Sequence, residues 1–209
     1  MRFIWIVGII VMGFAVYSCE NNNHKPAAKL SQQPVKPTAV ALLVLPLGNM
    51  PKAILDQVFS SLHKVYANTR LLPAVDLPQL AYYPPRNRYR ADSLIQWMGK
   101  MAKPHETYLG ITTRDISTTK DDIPDWGIMG LGFQPGPACV VSTFRLHKNN
   151  VPEELFKVAI HEVGHTTGLP HCDVRSCFMR DAEGKNSTGE EKEFCARCKK
   201  YLISKGWVL

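Results

Sequence analysis

No apolar run in this chain reaches the roughly 20 residues that a helix needs to cross a bilayer. The N-terminal stretch "FIWIVGIIVMGFAVY" (3–17) has 15. Blocks of five or more like charges are also missing, although 25 basic against 18 acidic residues give a formal charge of +7. With no nucleic-acid motif beside that excess, it reads as a mildly basic surface rather than a nucleic-acid patch. There is no internal repeat and no second domain boundary. No cluster of carboxylates offers a two-metal site, and the His-x-Glu pattern with a distant cysteine pair that marks a deaminase does not occur. Histidine is scarce, at seven residues, and cysteine numbers six. What remains is a chain of 209 residues with 45% apolar content, enough for one globular domain with its own core.

The ends and the middle divide by composition. Arg2 followed by the short apolar run, up to Ser18, suits a signal peptide over 1–18. "VYSC" (16–19) resembles the lipobox of bacterial lipoproteins, in which the cysteine is lipidated and becomes the mature N-terminus. That resemblance implies a lipid on Cys19 and a lipid-anchored place in the bacterial cell envelope, facing the periplasm or the surface. Tyr17 stands where a small residue is usual, and ordinary secretion is the alternative. Cleavage before Cys19 removes Arg2 and leaves 24 − 18 = +6. Residues 19–38, "CENNNHKPAAKLSQQPVKPT", are polar and rich in Asn, Gln, Lys and Pro, a flexible tether spanning at most about 60 Å. His24 is a solvated linker residue.

Residues 39–209 carry the fold. "AVALLVLPLG" (39–48) is a continuous apolar run that suits a buried strand. Pro51 opens a helix with Ile54, Leu55, Val58, Phe59, Leu62 and Val65 on one face and His63 outside it. Further strands are expected at 70–75, 106–116, 126–133 and 138–146, the last two separated by the turn "QPGP", and a helix capped by Asp92 at 92–102. This order predicts an α+β domain, or an α/β-type layer, with a mixed sheet. Cys139 falls alone in a strand-like run and reads as a small core residue.

Three of the seven histidines lie in "HEVGHTTGLPHC" (161–172). The preceding "NNVPEELFKVAI" has a helix start, with Asn149 or Asn150 as cap, Pro152 in the first turn and Glu153 and Glu154 at the positive end. Leu155, Phe156, Ala159, Ile160 and Val163 can pack it on the sheet. His161 and His165 are four apart, so both rings leave one helix face. Glu162 is rotated about 100° from His161 and can lie beside a metal without binding it. Gly168 can end the helix in the left-handed conformation and Pro170 prevents it resuming, so His171 can return to the same ion. Three imidazoles leave one tetrahedral position open, as in a catalytic zinc site.

The eleven-residue HExxHxxGxxH is the metzincin pattern. The residues beyond it narrow the match. After His171 come Cys172, Cys177, "CFM" (177–179), and then Cys195 and Cys198. That order resembles the archaemetzincins, and "AVALLVLPLG", "YLGITTRDI" and "ACVVSTFRLHK" are similar to segments of that family, so the likeness runs over most of 39–209. It implies a metzincin-like mixed sheet with an active-site helix and a small zinc-stabilised C-terminal part. Met179 would be the Met-turn residue, packing beneath the metal without binding it. The family's edge strand would fall at about Trp126–Gly132, where an extended peptide could bind by strand addition, although a plain buried strand fits equally.

Cys172, Cys177, Cys195 and Cys198 pair with four and two intervening residues, spacings that suit a closed tetrahedral zinc site. The second pair lies in "STGEEKEFCARCKKYLISKGW" (187–207), read as a helix. Two disulfides are the rival, favoured by an oxidising compartment; the resemblance implies zinc. The expectation is then two zincs per chain and peptide hydrolysis, with His161, His165 and His171 on one ion and Glu162 as general base and then acid. Two other classes stay open: a catalytically silent zinc protein of the envelope that binds peptides or protein partners, and a structural lipoprotein with disulfides. No zinc-blocking pro-segment is recognisable, and neither the substrate nor the oligomeric state is fixed.

Overall fold

Seven consecutive buried residues, Ala41–Leu47, form β1, and strands that are covered on both faces are the reason such runs stay apolar throughout. The computed structural model describes residues 40–181 and 184–209. The expected signal peptide, the Cys19 lipid site and the tether lie outside these residues. Among the described residues no helix is long and apolar enough to cross a membrane.

The chain continues through α1 (Lys52–Val65), β2 (Thr69–Leu71), β3 (Tyr82–Tyr83), β4 (Arg88–Arg90), α2 (Ala91–Met101), β5 (Glu106–Thr112) and β6 (Ile116–Lys120). Then come β7 (Ile123–Ile128), β8 (Gly130–Gly132), β9 (Ala138–Ser142), α3 (Val151–Thr166) and α4 (Ala196–Ser204). One sheet has the order β2-β1-β5-β9-β8 and the other β3-β4-β6-β7. In the first, β1, β2, β5 and β9 are parallel and β8 alone runs antiparallel, on β9 at the edge. On one face of this sheet Leu42, Val44, Leu109, Ile111, Cys139 and Val141 pack with the apolar sides of α1, α3 and α4. On the other, Leu45, Leu47, Ala138 and Val140 meet Leu94, Ile95 and Met98 of α2, and Ile116 of the second sheet. The expected α+β class with a mixed sheet is therefore what the chain adopts, and Cys139 is buried within the core.

Several local expectations are corrected. The single strand expected at 106–116 is two strands in different sheets, broken at Thr113–Asp115, where Asp115 turns its carboxylate to Arg88 and Arg145. The strand expected at 70–75 pairs only over Thr69–Leu71, with an isolated bridge from Leu47 to Val75. Helix α2 starts one residue early, and Asp92 sits in its first turn rather than capping it; its carboxylate accepts from Thr118 Oγ1 at 2.9 and 3.0 Å. The stretch 187–207 is helical only over Ala196–Ser204. The expected edge strand divides as well: Trp126, Gly127 and Ile128 belong to β7, at the edge of the second sheet against β6, while Gly130–Gly132 forms the edge of the first. His63 is exposed, as its place off the apolar stripe requires.

Candidate metal centre and cleft

Helix α3 carries the first two histidines because Leu155, Ala159, Ile160 and Val163 press its other side into the core. Asn150 occupies the N-cap position but makes no capping bond; its side-chain amide donates instead to Glu153 Oε2 at 2.9 Å. The helix ends as its sequence requires. Gly168 has φ +96°, a conformation that a Cβ would strain, and its N–H donates to the His165 carbonyl at 2.8 Å. The chain doubles back, and one ring nitrogen from each of His161, His165 and His171 comes to lie within 4.8 Å of the others.

Hydrogen bonds set which nitrogens face inward. His161 Nδ1–H donates to the Phe178 carbonyl at 2.7 Å and His165 Nδ1–H to the Leu169 carbonyl at 2.8 Å. A carbonyl can only accept, so each neutral ring holds its lone pair on Nε2. Those two Nε2 atoms stand 3.0 Å apart. Two lone pairs so close repel each other unless a cation lies between them. A tetrahedral zinc with bonds of 2.0–2.1 Å separates its nitrogens by about 3.4 Å, so the donor set fits that ion. Burial, together with the neighbouring His165, pushes the His161 pKa down to about 3, and burial lowers that of His165, which keeps both rings neutral and able to ligate. His171 is exposed, with Nδ1 3.5 Å from Asp181 Oδ2.

Glu162 is buried and faces the opposite wall. A Cβ at position 130 would come within 2.6 Å of Glu162 Oε1, so the bare backbone of Gly130 is what lets β8 pass over that carboxylate. Burial raises the Glu162 pKa to about 8, and a cation beside it would draw it back toward the carboxylate range. Met179 is fully buried against the helix, its sulfur near Gly164, one residue before His165.

The imidazoles open on a cleft of about 610 Å³ between β8 and residues 180–181 and 184–188. Sequence reading missed most of its lining, notably Lys120, Arg145, Asn186, Thr188 and Glu191. These residues come from segments without a motif; the one visible hint was the cluster of glycines at 127, 130 and 132. The wall at Asn186 is clasped to the first turn of α3. Glu154 accepts from the His147 backbone N–H at 3.0 Å and from Asn186 Nδ2 at 2.8 Å, and its other oxygen lies 2.7 Å from His147 Nδ1. Asn186 Oδ1 in turn accepts from Thr188 Oγ1 at 2.6 Å.

The second donor set begins at the next residue. The sulfurs of Cys172, Cys177, Cys195 and Cys198 all lie within 4.8 Å of one another, and three of these residues are buried. Cys172 and Cys195 are 3.7 Å apart, and none of the four is bridged. Zinc bonds of 2.3 Å in a tetrahedron separate sulfurs by about 3.8 Å, whereas a disulfide needs about 2.05 Å. Cys195 is the N-cap residue of α4, where the helix end favours a thiolate. Arg197 Nη2 donates to Cys172 Sγ at 3.4 Å.

The family model described as "Peptidase family M54" matches residues 50–204. The chain belongs to that family. Among archaemetzincins, the protein of Halobacterium salinarum is 29% identical over 174 residues, covering 77% of this chain and 98% of that one. That of Methanopyrus kandleri is 31% identical over 130 residues, 60% of this chain and 72% of its own length. The crystal structure of the Methanopyrus kandleri archaemetzincin superposes with a TM-score of 0.67 at 26% identity, covering 82% of this chain and 98% of that one. The Archaeoglobus fulgidus archaemetzincin, solved in complex with malonate, gives 0.65 at 27%, over 77% and 98%. As an M54 peptidase of archaemetzincin type, the chain is a zinc metallopeptidase, and its mixed-sheet fold is that of those structures.

Proposed function

We propose that the chain hydrolyses peptide bonds in the cleft beside His161, His165 and His171, with Glu162 as the proton-transferring group. The observation that carries this reading is the pair of Nε2 lone pairs, 3.0 Å apart and aimed at one point by carbonyl partners on Nδ1, with the Glu162 carboxylate on the same cleft. Zinc, when bound, supplies a Lewis acid that polarises the scissile carbonyl and lowers the pKa of a water to about 7. Glu162 accepts the water proton on a carboxylate oxygen and passes it to the departing amine nitrogen. Burial favours that role, because a carboxylate out of bulk water holds a transferred proton more firmly. β8, with its edge open to the cleft, offers backbone groups along which an extended peptide can lie.

In the same reading Cys172, Cys177, Cys195 and Cys198 hold a second, structural zinc, for which the 3.7 Å sulfur spacing argues against disulfides. Met179 supports the metal-bearing turn from below. The N-terminal "VYSC" supports lipidation of Cys19 and anchoring in the bacterial cell envelope. The test of the catalytic assignment is Glu162→Gln: turnover of a peptide library should fall by about 10²–10⁴-fold while metal analysis still finds the wild-type zinc content. Undiminished cleavage by the purified variant would remove Glu162 from the mechanism.

A further inference from the structure

Three of the cations that line the cleft, Lys120, Arg145 and Lys185, gather around Trp126 and Gly127. Lys120 Nζ lies 5.3 Å from the ring centre of Trp126. Lys185 follows Gly184, whose Cβ position is within 2.7 Å of the same ring. Arg145 lies on the backbone of Gly127, where any Cβ would overlap its guanidinium. All three line the cleft, as does Arg180, which is paired with Glu190; of the three, Arg145 is held by two hydrogen bonds to one carboxylate. Its Nε and Nη2 donate to the two oxygens of Asp115, each at 3.0 Å. Asp115 is shared: Arg88 Nε stands 2.9 Å from it, while Arg88 Nη1 donates to Asp125 Oδ2 at 3.2 Å and Arg86 Nε lies 3.5 Å from that same oxygen, so two buried carboxylates face three guanidiniums and leave one positive charge over. Arg88 is 10% exposed, whereas Arg145 is 33% exposed, and Arg145 Nη1 has no hydrogen-bond partner among the described residues. A guanidinium locked along one edge, with the other edge wet and uncompensated, is preorganised for a second carboxylate.

Its distance from the reacting groups follows from the chain. Gly127 precedes by three residues Gly130, which abuts Glu162, so at most about 10 Å separates the two positions. An extended peptide advances about 3.3 Å per residue. We propose that Arg145 is a specificity-determining residue, and that the cleft selects peptides with a carboxylate two or three residues from the cleaved bond. The carboxylate can belong to an Asp or Glu side chain or to a free C-terminus, since the fork presents the same geometry to both. Lys120 and Lys185 add to the field at this end and steer such peptides in. This inference rests on the peptidase reading.

The experiment uses the zinc-loaded protein and paired peptides differing only in Asp or Glu against Asn or Gln at each position near the cleaved bond. A second set differs only in a free or amidated C-terminus. Wild type should prefer the acid member of a pair by about tenfold to a hundredfold in kcat/KM, carried mainly by KM, the scale of one charge-assisted hydrogen bond. The set that shows the preference identifies the source of the carboxylate. In Arg145→Gln the acid-to-amide ratio should fall to near one, with Arg145→Lys between, because it keeps the charge and loses the fork. Gly127→Ala, which displaces the guanidinium, should lower the ratio as well and keeps the idea testable if Arg145→Gln does not fold. A flat ratio in both sets with wild type, or an undiminished ratio in folded Arg145→Gln, overturns the proposal. If wild type cleaves no peptide, the peptidase reading fails, and the same ratio is then read from fluorescence anisotropy of labelled pairs. Preference there upholds the carboxylate site and its absence refutes it.

Discussion

The imidazole cup and the thiol cluster meet at the peptide bond between His171 and Cys172, yet they are built in opposite ways. The cup comes from one helix and the turn that ends it, so its ligands are local in sequence, and it opens on the cleft with His171 exposed. The cluster joins two segments some twenty residues apart, and three of its four cysteines are buried. Openness suits a site that must admit water and substrate; enclosure suits one that only holds the chain together. The two are also unequal in dependence. Cys172 N–H donates to the Met179 carbonyl at 2.7 Å and Phe178 N–H to the Glu193 carbonyl at 3.0 Å, so the ribbon bearing His171 and the carbonyl partner of His161 is fastened through the cluster. In the other direction the tie is lighter, the bond from His161 Nδ1–H to the Phe178 carbonyl beside Cys177.

That asymmetry predicts unequal losses. Apparent binding free energy at structural zinc sites is about 10–16 kcal/mol, as large as the whole stability of a typical domain at about 5–15 kcal/mol. Cys198→Ser should therefore cost both metals and the cooperative melt, as seen by metal analysis and thermal unfolding of whatever stays soluble. A folded Cys198→Ser protein that retained one zinc and cleaved peptides would reverse the proposed dependence. His171→Gln probes the other direction. One zinc should remain, cleavage should disappear, and the melting temperature should move by less than about 5 °C, because an exposed ring contributes little to the core.

The same contrast explains what could be read from sequence. The cup was legible because its chemistry is written in helical spacing: His161 and His165 one turn apart, then a stop that only Gly168 can make. The cluster was legible as paired cysteines, but the argument against disulfides needed the 3.7 Å separation of Cys172 and Cys195. The layers followed from apolar periodicity, since β1, β5 and β9 are covered on both faces. Periodicity failed at "TTRDI", where apolar residues resume after Asp115 and read as one strand. The break there is made by pairing Asp115 with Arg88 and Arg145, 27 and 30 residues away in sequence, and no local pattern announces such a pairing. For the same reason Arg145 escaped notice: its orientation is set by a carboxylate in the break between β5 and β6 and by the absent side chain of Gly127.

A smaller effect separates geometry from stability within the cup. Gly130→Ala places a methyl group 2.6 Å from Glu162 Oε1, so the carboxylate must move by about an ångström. Misplacement on that scale costs about 10²-fold in rate, and the overpacking costs about 1–3 kcal/mol. Zinc content should stay at the wild-type value. An Ala variant as active as wild type would mean that Glu162 is free to shift, and the close approach of β8 would lose its catalytic meaning.

The smallest expected effect lies at the clasp between α3 and the cleft wall. Burial alone would raise the Glu154 carboxyl, but the His147 N–H, the Asn186 amide and the His147 ring outweigh it and hold the pKa below the ordinary value. Because the folded value is depressed, the stabilisation is complete above the unfolded pKa of about 4.3 and fades as pH falls through the folded one. Glu154→Gln keeps the shape and loses the charge, at a cost of about 1–2 kcal/mol near neutral pH. Since Asn186 and Thr188 would loosen on the cleft side, KM should rise a few-fold while kcat changes less. Melting temperatures of the two proteins, measured from pH 7 downward, should converge below about pH 4. If the gap widened with acid instead, the Glu154 carboxylate would be destabilising in the folded chain, and the wall of the cleft would owe its position to other contacts.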